Sequence, residues 1–224
     1  MSKINPLSVV ISTREINQDY IKHVSKMFSH PKTEVIVYQN NEEFSLPQLY
    51  NKGLLESKNE IVVFMHDDLI IETPNLTPKI LRLFEDNSEY GIIGVAGTNN
   101  LINGMWWQDR ESMQGQVSHE HQGKRHTNKY SNTFGENLKE VVVIDGLFMC
   151  VHKGRIKHNF NEEFQGFHFY DLPICLENYL DGVKIGVTTK IKLVHKSIGV
   201  VNKKWEKNKL LFEALYEKKL PIRI

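Results

Sequence analysis

Two adjacent carboxylates, Asp67 and Asp68, are the residues of this sequence best suited to chemistry. They follow a continuously apolar stretch over 61–65, which is typical of a strand buried in a parallel sheet. Ligands of open α/β sheets bind at the carboxyl ends of such strands. Burying two like charges side by side is costly unless a cation or hydrogen-bond donors compensate. The pair therefore predicts a Mn²⁺ or Mg²⁺ site, with a solvated turn or a helix N-cap as the alternative.

The first half of the chain must position this pair, and it alternates strand and helix patterns. Strands are predicted over residues 7–12, 34–38, 61–65 and 92–96. Asn17 is a predicted helix cap, Ser45 and Gln48 have the form of a capping box, and Thr77 begins a third helix. This alternation predicts an α/β fold with a mainly parallel sheet covered on both faces.

The second half follows a different pattern. Residues 98–138 are polar and have no sustained period, which predicts a long functional or mobile loop. One long strand is predicted over 140–151, where Asp145 and Gly146 indicate a bulge or a close approach of backbone to a ligand. Further predicted elements are a helix over 171–181, strands over 184–187 and 191–195, and a lysine-rich helix over 203–219.

Composition limits the class of protein. The 224 residues suit one large α/β domain, and a net charge of +1 gives no reason to expect nucleic acid. No apolar stretch approaches the roughly 20 residues that span a bilayer, and the N-terminus does not resemble a signal peptide. Cys150 and Cys175 lie in apolar patterns that suit buried thiols. We therefore expect a cytoplasmic protein.

Five segments, taken in order, resemble motifs of the family 2 glycosyltransferases. They are the strand at 7–13, Tyr-Asn-Lys-Gly through His-Asp-Asp at 50–68, Asp-Gly within 143–151, Tyr-Asp within 167–176 and the late His motif at 193–199. In that family they correspond to the first strand, an Asn-x-Gly helix ending in a DxD motif, an acceptor-side strand, an "ED" segment and a His motif. The resemblance covers nearly the whole chain.

The resemblance implies a GT-A fold, which is Rossmann-like with a mainly parallel central sheet flanked by helices and a small antiparallel acceptor-side sheet. It implies a single domain over 1–224, with a nucleotide-sugar-binding half over about 1–97 and an acceptor-side half over about 98–224. The implied activity is inverting transfer of a sugar from a nucleoside-diphosphate sugar, with a UDP-sugar favoured, to a glycan or glycoconjugate. The implied cofactor is Mn²⁺ or Mg²⁺.

The resemblance also implies roles for the residues at the acidic motif. Asp68 would bind the metal, and Asp67 would face the donor ribose or assist the metal. His195 would be a further metal ligand, since neutral imidazole suits Mn²⁺, although a histidine satisfied by backbone is an equal alternative.

On the donor side, the resemblance implies that Ser12, Thr13 and Arg14 line the nucleotide base. Asn51 would lie on the helix that faces the donor. Asp145 would contact the donor sugar or the acceptor, and a strand bulge alone is the alternative.

Asp171 is the implied general base, which takes the proton of the acceptor hydroxyl as that oxygen attacks the anomeric carbon. The alternative is that Asp171 serves only as a helix N-cap, because Asp-x-Pro is a favourable way to begin a helix.

Trp106 and Trp107 are candidate acceptor-binding residues, because indoles stack on the apolar faces of sugar rings. Neighbouring residues on a strand point in opposite directions, so only one of the two is expected to do so, and anchoring of the loop is the alternative. The lysine-rich last helix would suit either packing on the core or docking at the inner face of a membrane.

Three departures from the family pattern leave a second interpretation open. His66 stands where the family often has aspartate, Tyr38-Gln39-Asn40 lacks the usual base-reading aspartate, and Tyr170 replaces a glutamate. A non-catalytic module that binds a nucleotide sugar or glycan on the same fold is the alternative function. A nucleotidyltransferase is less consistent, because residues 12–18 contain no glycine for a triphosphate loop.

Overall fold

The structure is a computed structural model that describes residues 6–130, 138–197, 199 and 201–224. Parts of the segments predicted over 98–138 and 193–199 therefore lie outside the described residues. The elements in chain order are β1 (Ser8–Thr13), α1 (Gln18–Phe28), β2 (Glu34–Gln39), α2 (Leu46–Glu56), β3 (Ile61–His66), β4 (Leu69–Ile71), α3 (Leu76–Asp86), β5 (Tyr90–Gly94), β6 (Ala96–Thr98), β7 (Asn100–Leu101), a 3-10 turn (Arg110–Ser112), β8 (Met113–His121), β9 (Lys124–Lys129), β10 (Lys139–Val141), β11 (Val143–Ile144), β12 (Phe148–His152), α4 (Asp171–Leu180), β13 (Lys184–Val187), β14 (Leu193–His195), α5 (Lys203–Tyr216) and β15 (Ile222–Arg223).

The central sheet has seven strands in the order β10-β13-β5-β12-β3-β1-β2. Strands β2, β1 and β3 are parallel neighbours, and β13 runs parallel to β5. Strand β12 lies antiparallel between β3 and β5, and β10 is antiparallel at the edge. The first five residues of β3 are apolar and buried, because helices and loops cover both faces of a sheet of this kind.

Local sequence determines where the first helices begin. The Asn17 side chain accepts hydrogen bonds from the backbone N–H groups of Asp19 and Tyr20, which confirms the predicted cap of α1. The Gln48 side chain accepts from the backbone N–H of Ser45 at the start of α2, as a capping box requires. Helix α2 packs on β1, and α4 packs on β11 and β13.

A second sheet runs in the order β11-β6-β8-β14-β4, with β9 paired to β8. All of its neighbours are antiparallel except β8 and β14. The prediction of a structureless loop over 98–138 was wrong, because β8 and β9 form a hairpin there. Its strands are polar and its tip is exposed, so they lack the apolar alternation by which strands are recognised.

The long strand predicted over 140–151 was also wrong, since three short strands occupy this stretch. Strands β10 and β12 belong to the central sheet, whereas β11 belongs to the second sheet. Asp145 and Gly146 lie where the chain passes from β11 back to β12. Asp67 and Asp68 lie at a similar passage, from β3 in the central sheet to β4 in the second sheet. The carboxylates singled out in the sequence are thus brought to the junction of the two sheets.

Among the described residues, none of the helices combines the length and the apolar character that crossing a bilayer requires.

Close contact between the backbones of β6 and β11 gives a test of the fold. A Cβ atom at Gly97 would lie 2.2 Å from the Val143 carbonyl oxygen and 3.0 Å from Ile144 Cα. We expect Gly97→Ala to lower the free energy of unfolding by about 1–3 kcal/mol, because backbone atoms of β11 must move. Thermal unfolding measures this, at about 2–4 °C per kcal/mol.

Gly154→Ala is the matched control, because the nearest atom to its new Cβ is the tip of the exposed Glu60 side chain, which can move. Equal melting temperatures for the two variants would contradict the close approach of β6 and β11.

Candidate functional site

The turn between β3 and β4 directs its two carboxylates to different neighbours. The Thr13 hydroxyl at the end of β1 donates to Asp67 Oδ2 at 2.6 Å. Asp68 points instead towards β14, because β14 pairs with β4 in a register that sets His195 opposite Leu69. The backbone N–H of Lys196 donates to the Asp68 carbonyl, which fixes the end of β14 against this turn.

Three side chains converge at the junction: His66 from the end of β3, Asp68 from the turn, and His195 from the end of β14. One ligand-type atom of each lies within 4.8 Å of the others. His195 Nε2 is 3.2 Å from Asp68 Oδ1 and 3.5 Å from His66 Nδ1, and the Ser197 hydroxyl is a further 3.1 Å neighbour. We call His66, Asp68 and His195 the triad.

The triad cannot satisfy its own polar groups. A single imidazole nitrogen carries either one hydrogen or one lone pair, yet three polar atoms crowd around His195 Nε2. Asp68 Oδ1 is buried, and its contact with His195 lacks the geometry of a hydrogen bond, which leaves this oxygen unpaired among the described residues. Two imidazole nitrogens and a carboxylate oxygen are suitable ligands for a divalent ion such as Mn²⁺, which would satisfy all three at once.

The protonation states of His66 and Asp68 suit this use, whereas His195 favours its protonated form and would release a proton on binding a metal. Burial, assisted by the nearby His195, lowers the pKa of His66 to about 4, so its imidazole is neutral at pH 7 and has a lone pair to offer. Burial alone would raise the pKa of Asp68, but the neighbouring His195 and Ser197 outweigh it and bring that pKa to about 2. Burial likewise opposes the charged form of His195, whereas Asp68 favours it and leaves the pKa of His195 raised.

One cavity lies on the β1 side of the triad. This β1 cavity has a volume of about 560 Å³ and is lined by Thr13, Arg14, Asp67 and Lys196, with apolar side chains from β1, α1 and β2. The Arg14 guanidinium pairs with Glu42 at 3.2 Å. A cavity of this size, lined by apolar side chains and by charged groups of both signs, including Glu15 and Asp19, suits a flat ring with a charged substituent.

A second cavity lies on the other side of the triad. This tryptophan cavity has a volume of about 450 Å³, and among its lining residues are His66, Asp145, Asp171, His195, Trp106, Trp107 and Trp205. Two residues of the triad thus line the tryptophan cavity, whereas Asp67 and Lys196, their neighbours in sequence, line the β1 cavity. The triad therefore marks the boundary between the two cavities.

Asp171 is the first residue of α4, and its carboxylate is held by backbone. Asp171 Oδ2 accepts from the N–H of Gly146 at 2.8 Å, and Oδ1 accepts from the N–H of Leu172 at 3.0 Å. Tyr170, rather than Asp171, precedes the helix, so the N-cap alternative does not describe this residue. One oxygen is instead tied to the Asp145–Gly146 passage between the two sheets.

The surroundings of Asp171 make it a base near neutral pH. Enclosure by protein and the negative charge of Asp145 raise its pKa to about 7, against the opposing effect of the backbone N–H groups. Asp145 lines the same cavity, and burial raises its pKa as well. A carboxylate whose ionisation is disfavoured by burial and by a neighbouring carboxylate is typical of sites that move protons.

Tyr170 joins the triad to α4. Its hydroxyl lies 2.6 Å from His66 Nε2, which leaves Nδ1 of that imidazole to face Asp68 and His195. The Tyr170 ring packs directly on Gly146, where a Cβ atom would lie 2.4 Å from the hydroxyl oxygen. The predicted close approach at the Asp-Gly step is therefore made by Tyr170, and glycine is needed to admit that ring.

The structure brings most of the predicted site residues together and leaves two apart. Asp145, Asp171, His195 and both tryptophans line the tryptophan cavity, and Thr13, Arg14 and Asp67 line the β1 cavity. Ser12 pairs with His66 across the central sheet but lines neither of these cavities.

Asn51 does not lie with the other predicted donor residues. Its side chain hydrogen-bonds the backbone of Phe160 and the carboxylate of Glu162, so its amide connects α2 to the loop after β12. The expectation that Asn51 faces the donor is therefore not supported by its position.

The tryptophans lie in a turn rather than a strand, so the argument that they point in opposite directions does not apply to them. Both line the tryptophan cavity, with Trp106 buried and Trp107 40% exposed. The ring of Trp205 from α5 lies 6.0 Å from that of Trp107 and extends the same wall.

His66 and Tyr170 stood out in the sequence only as departures from a pattern, and their contact with each other was not predicted. His119 was also missed, although β8 sets it beside His195 in the sheet and it lines the tryptophan cavity. The sequence did hold a signal for His66, because this residue directly precedes the acidic pair at the end of a buried strand.

Comparisons with known proteins agree with this geometry. Residues 9–218 match the family described as "Glycosyltransferase like family". The streptomycin biosynthesis protein StrF of Streptomyces griseus is 29% identical over 110 residues, which are 49% of this chain and 36% of StrF. The crystal structure of GalNAc-T7 with UDP, GalNAc and Mn²⁺ is similar with a TM-score of 0.66 at 10% identity, over 96% of this chain and 50% of that chain.

The chain thus spans half or less of the length of these two proteins. At such low identity the structural likeness speaks for the fold alone, and that fold is GT-A, as predicted. The match over 9–218 covers most of the sequence, and on that basis the chain belongs to the glycosyltransferase-like family.

Proposed function

We propose that this chain is an inverting, metal-dependent glycosyltransferase that moves a sugar from a nucleoside-diphosphate sugar, preferably a UDP-sugar, to a glycan or glycoconjugate. The observation that carries the proposal is the triad at the boundary of two cavities, with the Asp171 carboxylate in one of them. The UDP, GalNAc and Mn²⁺ in the GalNAc-T7 structure support the same reading of the fold. The division into halves over about 1–97 and 98–224 belongs to the proposal.

In this proposal the nucleoside diphosphate occupies the β1 cavity. Thr13 and Arg14 contact the nucleoside, and Asp67 faces the ribose. Lys196 lines the same cavity and offers a positive charge. His66, Asp68 and His195 hold Mn²⁺ or Mg²⁺, which when bound stabilises negative charge on the departing diphosphate.

The sugar and the acceptor occupy the tryptophan cavity. Trp106 and Trp107 contact the acceptor, and Asp145 contacts the donor sugar. Asp171 takes the proton of the acceptor hydroxyl while that oxygen attacks the anomeric carbon from the face opposite the diphosphate. The N–H groups of Gly146 and Leu172 each hold one oxygen of Asp171 in place, and each oxygen keeps a second lone pair that can take the proton. Direct attack by the acceptor accounts for inversion.

The non-catalytic alternative rested on His66 and Tyr170 as departures from the family pattern. In the structure these two side chains contact each other, and His66 belongs to the triad. This contact supports a site that is altered but complete, and it therefore favours an enzyme over a non-catalytic binding module.

Metal binding by the triad is tested with Asp68→Asn. In the wild type we expect saturating UDP with Mn²⁺ to stabilise the fold by about 2.7 kcal/mol at 100 times the dissociation constant. We expect Asp68→Asn to lose the part of this stabilisation that depends on Mn²⁺, because the amide replaces the only anionic ligand of the triad. Thermal unfolding with UDP and either Mn²⁺ or EDTA measures this.

Asp86→Asn serves as control, since this exposed acid ends α3 and lies outside the site. A full Mn²⁺-dependent stabilisation in Asp68→Asn would contradict the proposed metal site.

Orientation of His66 is tested with Tyr170→Phe. Loss of the hydroxyl leaves His66 Nε2 without this partner. Groups that orient metal ligands in this way typically contribute 10- to 100-fold to metal affinity. We expect Mn²⁺ affinity, measured by calorimetry with UDP present, to fall by about that factor. Tyr179→Phe on α4 is the control and should retain wild-type affinity, and an equal loss in both variants would contradict the role of Tyr170.

The general base is tested with Asp171→Asn. We expect kcat to fall by about 10²–10⁴-fold, because the amide cannot accept the proton. UDP binding with Mn²⁺ should be unchanged, because Asp171 lies outside the β1 cavity. Retained turnover would exclude Asp171 as the base, and a wild type that binds UDP but turns over no acceptor would favour the binding module.

The pH dependence follows from the same group. A base must be ionised to act, and the pKa of Asp171 is raised to about 7. We therefore expect kcat/KM to fall about tenfold per pH unit below that value and to reach a plateau above it. A wild-type profile that is flat between pH 5 and 8 would contradict this assignment.

A further inference from the structure

Phe169 adopts a backbone conformation that a bulky residue rarely takes. Its φ angle is +60°, in the left-handed region, and its side chain is only 4% exposed. Such a conformation costs energy in any residue with a Cβ atom, and it persists only where the surroundings fix it. Phe169 directly precedes Tyr170 and Asp171, the two residues that contact the triad and the Asp145–Gly146 passage.

Aromatic side chains of α5 hold the Phe169 ring. Its centroid lies 5.4 Å from that of Trp205 and 5.7 Å from that of Phe212. Phe164 stacks on the ring at 6.2 Å with an interplanar angle of 12°. On a further side, a Cβ atom at Gly104 would lie 2.8 Å from the ring, so there is no room for the ring to shift in that direction.

The backbone that leads to Phe169 is also fixed by α5. The buried Asn208 donates from its amide to the carbonyl of Gln165 at 2.8 Å and to that of His168 at 3.0 Å. The N–H of Leu46 at the start of α2 donates to the Gly166 carbonyl at 2.8 Å. The segment over 165–168 is thus anchored before the chain turns at Phe169 into α4.

We infer that Phe169 is a positioning residue for the reaction, because its left-handed backbone, clamped by α5, aims Tyr170 at His66 and Asp171 at Gly146. The inference rests on the proposed function insofar as Asp171 is the general base. It gives α5 a role beyond covering the core, since the helix that supplies Trp205 to the wall of the tryptophan cavity also holds the turn that directs Asp171.

Two substitutions that delete the same ring separate this role from simple packing. Phe169→Ala removes the clamp and disfavours the left-handed backbone, whereas Phe169→Gly removes the clamp and permits that backbone. We expect kcat to fall in both but to be about tenfold higher in the glycine variant, which corresponds to about 1.4 kcal/mol. The pH profile of kcat/KM should stay close to wild type in the glycine variant and shift in the alanine variant.

Phe164 provides the matched control, because its ring is fully buried in the same cluster and its φ angle is not positive. At position 164 we expect kcat of the glycine variant to be no higher than that of the alanine variant, since glycine there adds only flexibility to the unfolded chain. If alanine equals or exceeds glycine at 169 as well, Phe169 contributes packing alone and the inference is overturned.

A readout without turnover separates this inference from the proposed function. Because Tyr170 contacts His66, Mn²⁺ affinity in the presence of UDP should also be higher in Phe169→Gly than in Phe169→Ala. A wild type that lacks turnover but shows this order of affinities would remove the proposed activity and keep the positioning role. A reversed or equal order would overturn the positioning role even in an active enzyme.

Discussion

Convergence of two imidazoles and one carboxylate on a single point is the constraint on which the rest of this structure depends. Asp68 Oδ1 lies 3.2 Å from His195 Nε2 but has no hydrogen bond within the described residues, and three polar atoms crowd around that nitrogen, so the folded chain leaves this point incompletely satisfied. His195 lies close to Asp68 because β14 pairs with β4 in the second sheet. His66 lies close to both because the chain passes directly from β3 to β4. Two imidazoles and a carboxylate held this close together are suited to a ligand of positive charge.

From this point the two cavities take different chemical character. The β1 cavity is lined by apolar side chains, by Arg14 and Lys196, which can face an anionic group, and by carboxylates such as Asp67. The tryptophan cavity has indole walls and two carboxylates, which suits sugar hydroxyls. Asp171 belongs to the second environment, and its neighbour Asp145 raises its pKa without a hydrogen bond between them. The separation allows charge on a diphosphate and a proton on a hydroxyl to be handled by different groups.

Sequence patterns predicted the parts of the fold that depend on apolar periodicity and on caps. The buried strand β3, the Asn17 cap and the acidic turn after β3 were all recognisable, because each depends on residues close in sequence. The hairpin of β8 and β9 was missed because its strands are polar. Asp145 and Gly146 indicated a bulge, but the change of sheet there was missed because β11 and β12 are both apolar. Resemblance to a family supplied Asp171 and His195, whereas His66 and Tyr170 emerged only from contacts 104 residues apart.

The most direct test of the triad is pulsed electron paramagnetic resonance of Mn²⁺ bound to the wild-type protein with UDP. The account predicts nitrogen couplings from two imidazoles, His66 and His195, together with phosphorus couplings from the diphosphate. His66→Gln should remove one nitrogen coupling and leave the phosphorus couplings in place. A spectrum of the wild-type complex without nitrogen coupling would contradict the triad as the metal site.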